Sequence, residues 1–291
     1  MSQEVSYSQV QRIREIAIKS YTESVAQVLS EAMHKAPVQI TAHVQKIMNV
    51  NNTVISPSSV NILQSPTSLK VLQKHFNQNI AVLNLDKTMK TDEIAKIKAA
   101  ALVTLQQENL KIENKALVKQ AIQELMTATT LEQTTEKLFA TFAEIKNEHT
   151  KVFTNTLSSA IRLASSKIGF NQVKLETVTP TLTRIVATNP KGINLISEIH
   201  TDAHKKVDIL SESEGITDDS CEKIMDDFNN ELLTFGIVAE RKERKPTGGI
   251  AQLPYAKKLQ KQRRTPSKRE FVNEQVITKD NKSKAVQYIN N

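Results

Sequence analysis

A chain of 291 residues that is 39% hydrophobic but only 4% aromatic, with no Trp and six Gly, has room for two modest domains and a tail, and its composition leans helical. The net charge of +8 sits at one end: residues 240–291 carry 14 Lys/Arg against 5 Asp/Glu, whereas residues 1–239 carry 25 against 26, which argues against a basic globular surface. A single Cys excludes an internal disulfide, no run approaches the roughly 18 apolar residues of a membrane span, and the N-terminus lacks an apolar signal core, so a soluble cytoplasmic protein is expected.

Near the N-terminus Val10, Ile13, Ala17, Tyr21, Ser24 and Val28 recur at helical steps, predicting a helix that Pro37 ends or interrupts. The Ser/Asn/Pro-bearing stretch 49–66 reads as a connection, and TSLKVLQKHF begins a short helix. Thr91, Asp92 and Glu93 signal another helix start, with a pattern that can run unbroken to about Met126. Thr130 and Gln133 form a capping box for a helix whose stripe is Leu138, Phe142, Ile145, His149, Val152, Thr156 and Ala160, with Gly169 as its stop. Residues 1–154 are therefore expected to form a helical domain of elongated antiparallel helices.

After Phe170 the period changes. VKLETV, TRIVATN, NLISEIHT and KVDILSESEG are rich in Val, Ile and Thr and separated by turn residues, NPKG at 189–192 and TDAHK at 201–205. They predict an antiparallel meander of about four strands, covered by the preceding helix and by one from about Ser220 to Phe235. Residues 155–240 thus form a small α+β domain. Residues 241–291 read as a basic flexible tail, in which Tyr255 to Arg264 suits one short basic helix.

Cys221 follows Asp219, an expected N-cap with Glu222 as its capping-box partner, and leads a stripe with Ile224, Met225, Phe228 and Leu232. It reads as a small buried side chain, because neighbouring Asp218, Asp219 and Glu222 disfavour a thiolate. His200 and His204 have the i, i+4 spacing of metal ligands but stand in a turn without a third ligand. His149 reads as a packed or interhelical histidine. Glu212, Glu214, Asp218, Asp219, Glu222, Asp226 and Asp227 make a local negative field, read first as a cap and solvated helix face and second as a surface that docks the chain's own basic tail. No phosphate-binding glycine loop or nucleophile elbow is present, so no catalytic residue, metal or cofactor is assigned.

The strongest interaction candidate is the tail. Lys257, Lys258, Lys261, Arg263, Arg264, Lys268 and Arg269 place seven cations within thirteen residues, a density that can neutralise phosphates or an acidic protein groove. Base-stacking aromatics are sparse there, Tyr255 and Phe271 only flanking the cluster, and Leu259 offers little apolar face to a membrane.

Gly215, Ser220, Cys221, Ile224 and Gly236, within VDILSESEGITDDSCEKIMDDFNNELLTFGI at 207–237, carry a resemblance to a small uncharacterised bacterial domain family. That family places extended segments before a Gly, a Ser/Ala-Cys pair and an amphipathic helix. The resemblance covers about a tenth of the chain and implies no catalytic residue. It does imply companionship with bacterial ATPase systems, hence an adaptor role.

The expected function is a non-enzymatic adaptor or scaffold, homo-oligomeric or docked through its helices, with the tail contacting an acidic protein or ribonucleoprotein partner such as an ATPase. The alternatives are a nucleic-acid-associated protein using the tail, and an enzyme using Cys221 or the 212–227 acidic cluster.

Overall fold

The computed structural model describes residues 3–14, 23–50, 62–64, 68–85, 92–108, 110–201, 207–246 and 250–264. In chain order they form β1 (Gln3–Arg14), β2 (Glu23–Ser24), α1 (Val25–His34), α2 (Val38–Val50), β3 (Ile62–Gln64), α3 (Leu69–Asn84) and α4 (Glu93–Gln107). There follow β4 (Lys111–Ile112), α5 (Lys115–Thr127), α6 (Leu131–Lys167), β5 (Gln172–Thr179), β6 (Leu182–Thr188), β7 (Asn194–His200), β8 (Asp208–Glu214), α7 (Ser220–Thr234), β9 (Val238–Pro246) and α8 (Pro254–Arg264). A helical half thus precedes an α+β unit built on the expected four-strand antiparallel meander, β5 to β8.

The helical half packs around α4. Its Ala-rich sequence lets neighbours approach from several sides, so Ala99, Ala100, Ala101, Leu102, Val103 and Leu105 are all buried, with Val28, Leu29, Ile47, Leu72, Ile122 and Phe142 in the same core. Each large aliphatic side chain so buried contributes about 1.5–3 kcal/mol. Two lysines of α4 are buried with it. Lys98 Nζ donates to the carbonyls of Met126 (2.8 Å) and Ala128 (2.6 Å) at the end of α5, and Lys96 Nζ donates to Asn84 Oδ1 (2.9 Å) at the end of α3. Cations are thereby placed where two helix dipoles are negative and where terminal carbonyls lack intrahelical partners. Burial still pulls the Lys98 ammonium below the ordinary lysine range, with Asp92 opposing that shift.

The expected helix starts are made. Asp92 Oδ1 accepts the N–H groups of Ile94 (3.1 Å) and Ala95 (3.3 Å), and Thr130 Oγ1 accepts that of Gln133 (3.2 Å). The helix from Asp92 does not run on to Met126, however. It ends at Gln107 and α5 starts only at Lys115; between them β4 pairs with β2, Leu110 and Ile112 are buried, and two side chains of α6 take up backbone donors. Lys111 N–H donates to His149 Nδ1 (3.0 Å), Asn114 N–H donates to Glu148 Oε2 (3.1 Å), and the Asn114 side chain caps α5 at Leu117.

All seven residues of the stripe from Leu138 to Ala160 are buried on α6. This 37-residue helix, about 55 Å long, serves both cores. Leu138, Phe142 and Ile145 belong to the helical half, while Phe153, Leu157, Ala160, Ile161 and Ala164 pack under the sheet. It stops where Gly169, at φ 91°, turns the chain so that Phe170 N–H reaches Ser165 O (3.0 Å).

The sheet has seven strands, ordered β3-β1-β8-β7-β6-β5, with β9 also paired to β1. Residues 3–14 are therefore strand, not the first part of the helix expected from Val10 to Val28. Helix begins at Val25, and the Ala17 and Tyr21 positions lie outside the described residues. β1 runs antiparallel to β8 (Glu4↔Glu212 to Tyr7↔Ile209) and to β9 (Gln3↔Pro246 to Arg12↔Val238). Two ladders from distant segments satisfy its backbone, and such pairing outweighs a weak helical periodicity. β8 and β9, joined through α7, thus lie parallel with β1 between them, a split β-α-β arrangement.

Candidate basic interaction surface

Strand alternation gives the meander two unlike faces. One carries Ile185, Ala187, Leu195, Ile199 and Ile209 against α6 and α7. Cys221 lies on this side, 4% exposed, with its Sγ 3.1 Å from Ser213 Oγ. It leads the buried stripe Met225, Phe228 and Leu232, as its spacing implied, with Ile224 partly buried. Asp219 stands at the N-cap without a side-chain cap bond. The neighbouring Asp218 carboxylate instead accepts from the Ser220 backbone N–H (3.0 Å) and hydroxyl, and these bonds hold its pKa below the usual carboxylate range.

The opposite face mixes polar and apolar side chains, and the segment 250–264 covers it. Ala251, Leu253 and Ala256 pack on Val186 and Ile196, with Leu210, Tyr255 and Leu259 at the margin. Between these contacts run three polar connections. Glu212, wholly buried, accepts the backbone N–H groups of Gln252 (3.0 Å) and Leu253 (2.8 Å) where α8 begins. Arg184 Nε donates to Glu198 (2.8 Å), its guanidinium lies 4.5 Å from the centre of the Tyr255 ring, and Glu176 is 3.6 Å away. Finally, Thr188 Oγ1 donates to Asn194 Oδ1 (2.7 Å), Asn194 Nδ2 to Glu214 Oε2 (2.9 Å), and Arg263 closes the row on Glu214 (3.3 Å) and the Gly192 carbonyl. A cleft of about 440 Å³ remains open between Tyr255 and Leu259 on α8 and Gln172, Lys174, Thr188 and Asn194 on the strands.

The short basic helix expected at 255–264 is therefore formed, and it is docked. Part of the segment read as flexible tail is ordered: residues 241–246 complete β9, and 250–264 hold to the sheet. The seven candidate cations separate. Lys257, Lys258 and Lys261 are exposed on the outer side of α8. Arg263 turns inward to Glu214, and Arg264 ends the helix. Lys268 and Arg269 lie outside the described residues. The acidic cluster separates likewise. Glu212 and Glu214 are buried and hold the C-terminal segment, while Asp218, Asp219, Glu222, Asp226 and Asp227 are exposed.

Of the histidine candidates, His149 is buried and interhelical, bound to Lys111 of β4. His200 lies 3.5 Å from Glu198, and His204 falls outside the described residues. Among the described residues no three His, Cys, Asp or Glu side chains are grouped to hold a metal ion, and no helix is long and apolar enough to cross a membrane. The sequence reading missed Arg184, Glu198 and Asn194. Their signal was the presence of Val186 and Ile196 among the polar residues of the outer face of β6 and β7, since apolar side chains on both faces of a strand mark a second covered face.

No protein-family model matches the chain, and neither a curated protein nor a solved structure matches it.

Proposed function

We propose that the protein is a non-enzymatic adaptor or scaffold that presents α8 as a fixed basic surface to an acidic protein or ribonucleoprotein partner. The observation that carries this reading is the docking of α8. Its inner side is occupied by Glu212, Arg184 and Glu214, so Lys257, Lys258 and Lys261 face outward from an anchored element. Anchoring lowers the ordering cost that a flexible basic segment incurs on binding. The resemblance of residues 207–237 supports an ATPase as the class of partner. An enzyme built on Cys221 or the 212–227 carboxylates has the least support, because the thiol is buried against Ser213 and Glu212 is engaged by two backbone donors.

The test is capture from native lysate with the full chain and with a Lys257→Glu/Lys258→Glu variant, each with and without nuclease. The reading expects a protein partner that survives nuclease and is lost from the variant. An identical captured set from both chains overturns it.

A second reading, nucleic-acid binding, draws on the same outward cations, since three on one helix face can neutralise neighbouring phosphates. It expects capture to vanish with nuclease. Affinity should fall steeply with salt, and each lysine lost should lower the salt slope by about 1.

A further inference from the structure

The sheet ends at β5, which among the described residues pairs only with β6. A long regular edge is a template for another strand unless a bulge, a cover or charges that the incoming strand cannot pair blunt it. β5 has eight residues, a side-chain pattern exposed along nearly its whole length, and Leu175 standing 58% exposed. The register shift lies between Thr177 and Thr179, so residues 172–177 remain regular.

We infer that this edge pairs with the same edge of a second copy of the chain, antiparallel across a two-fold axis at Leu175. Isologous pairing requires a self-complementary strand, and Val173-Lys174-Leu175-Glu176-Thr177 is one. About that axis Lys174 stands opposite Glu176 of the partner subunit, and symmetry repeats the pair. Leu175 meets its own copy, covering an apolar side chain that is otherwise more than half exposed. Opposite charges on cross-strand pairs are favourable and like charges directly opposite are not. Moving the axis by one residue either way sets Lys174 against Lys174 or Glu176 against Glu176. Only the register centred on Leu175 therefore satisfies both charges. Glu176 is already oriented along its face by Arg184, 3.6 Å away, while Lys174 lies exposed beside the open cleft. The outcome is one continuous sheet through two copies of the chain, independent of what binds α8.

Sedimentation of the full-length chain over a concentration series tests this. The parent chain is expected to reach twice the monomer mass. K174E and E176K, each of which sets like charges opposite one another twice, should each weaken dimerisation by roughly tenfold or more. Mixing the two variants should restore the dimer, because their heterodimer pairs opposite charges at both positions, and K174E/E176K in one chain should restore it as well. Both positions are on the outer strand, so circular dichroism matching the parent separates loss of pairing from loss of fold. A parent chain that stays monomeric, or variants whose mixture fails to recover while their fold is intact, overturns the inference.

Discussion

The buried carboxylate of Glu212 on β8 accepts the backbone N–H of Leu253 at 2.8 Å, joining residues 41 positions apart. A hydrogen bond to a charged group is stronger than a neutral one, and this one is shielded from solvent. It fixes where α8 begins and therefore which lysines face outward.

Glu212→Gln should release α8 selectively. The amide can accept one bond but brings its own donors into a site built for an acceptor, so docking should weaken by about 2 kcal/mol. Hydrogen exchange at Ala256 to Leu259 should accelerate while α6 keeps its protection. Equal acceleration in both would show that Glu212 holds the whole domain rather than the C-terminal helix.

Salt should act on one end of α8 only. Glu212 and the contacts of Ala251, Leu253 and Ala256 are buried, whereas the Arg263 side chain is 43% exposed at its pair with Glu214. Screening weakens exposed pairs far more than buried ones. Exchange measured in low salt and in about 1 M salt should therefore speed near Arg263 and stay unchanged near Leu253. General release of the helix would mean that charge attraction, not burial, holds it.

His43 should make the protein acid-sensitive. It is buried on α2 with its Nδ1 unpartnered, and burial, followed by the charges of Lys96 and Lys46, lowers its pKa below the ordinary histidine value of 6.5 while Asp92 opposes. In the window between the lowered folded value and 6.5 the unfolded chain binds more protons. Stability is therefore fully present above 6.5 and is lost as pH falls through the folded value. Urea midpoints at about pH 7 and about pH 5 should differ less for His43→Leu than for the parent chain. An unchanged difference would assign the acid loss to other groups.

Cys221 should react slowly with thiol reagents in the native protein and rapidly in urea, since it is 4% exposed. Cys221→Ala should cost about 1 kcal/mol through lost packing and the lost contact with Ser213. Rapid native labelling would contradict the burial.

The sequence by itself determined the elements whose partners are near in the chain or repeat at a fixed period. The stripe from Leu138 to Ala160 marked the buried side of α6, because side chains at helical spacing share one face whatever they pack against. Gly169 marked its end, and NPKG marked the turn in which Asn189 Oδ1 accepts the N–H groups of Lys191 (3.0 Å) and Ile193 (2.9 Å). Four alternating segments likewise gave the meander, and the basic composition of residues 255–264 suited the short helix that forms there as α8.

Tertiary structure alone decided the rest. β1 is a strand because β8 and β9, some two hundred residues away, supply its ladders. The break before α5 exists because His149 and Glu148 of α6 accept the donors it frees. The charges of the C-terminal segment were countable, but which of them docks and which faces water depended on Glu212, Glu214 and Arg184 lying on one face of a sheet. Local propensities amount to tenths of a kcal/mol per residue, whereas a buried charged hydrogen bond or a strand ladder contributes more in total. Wherever such long-range partners compete with local preference, they prevail.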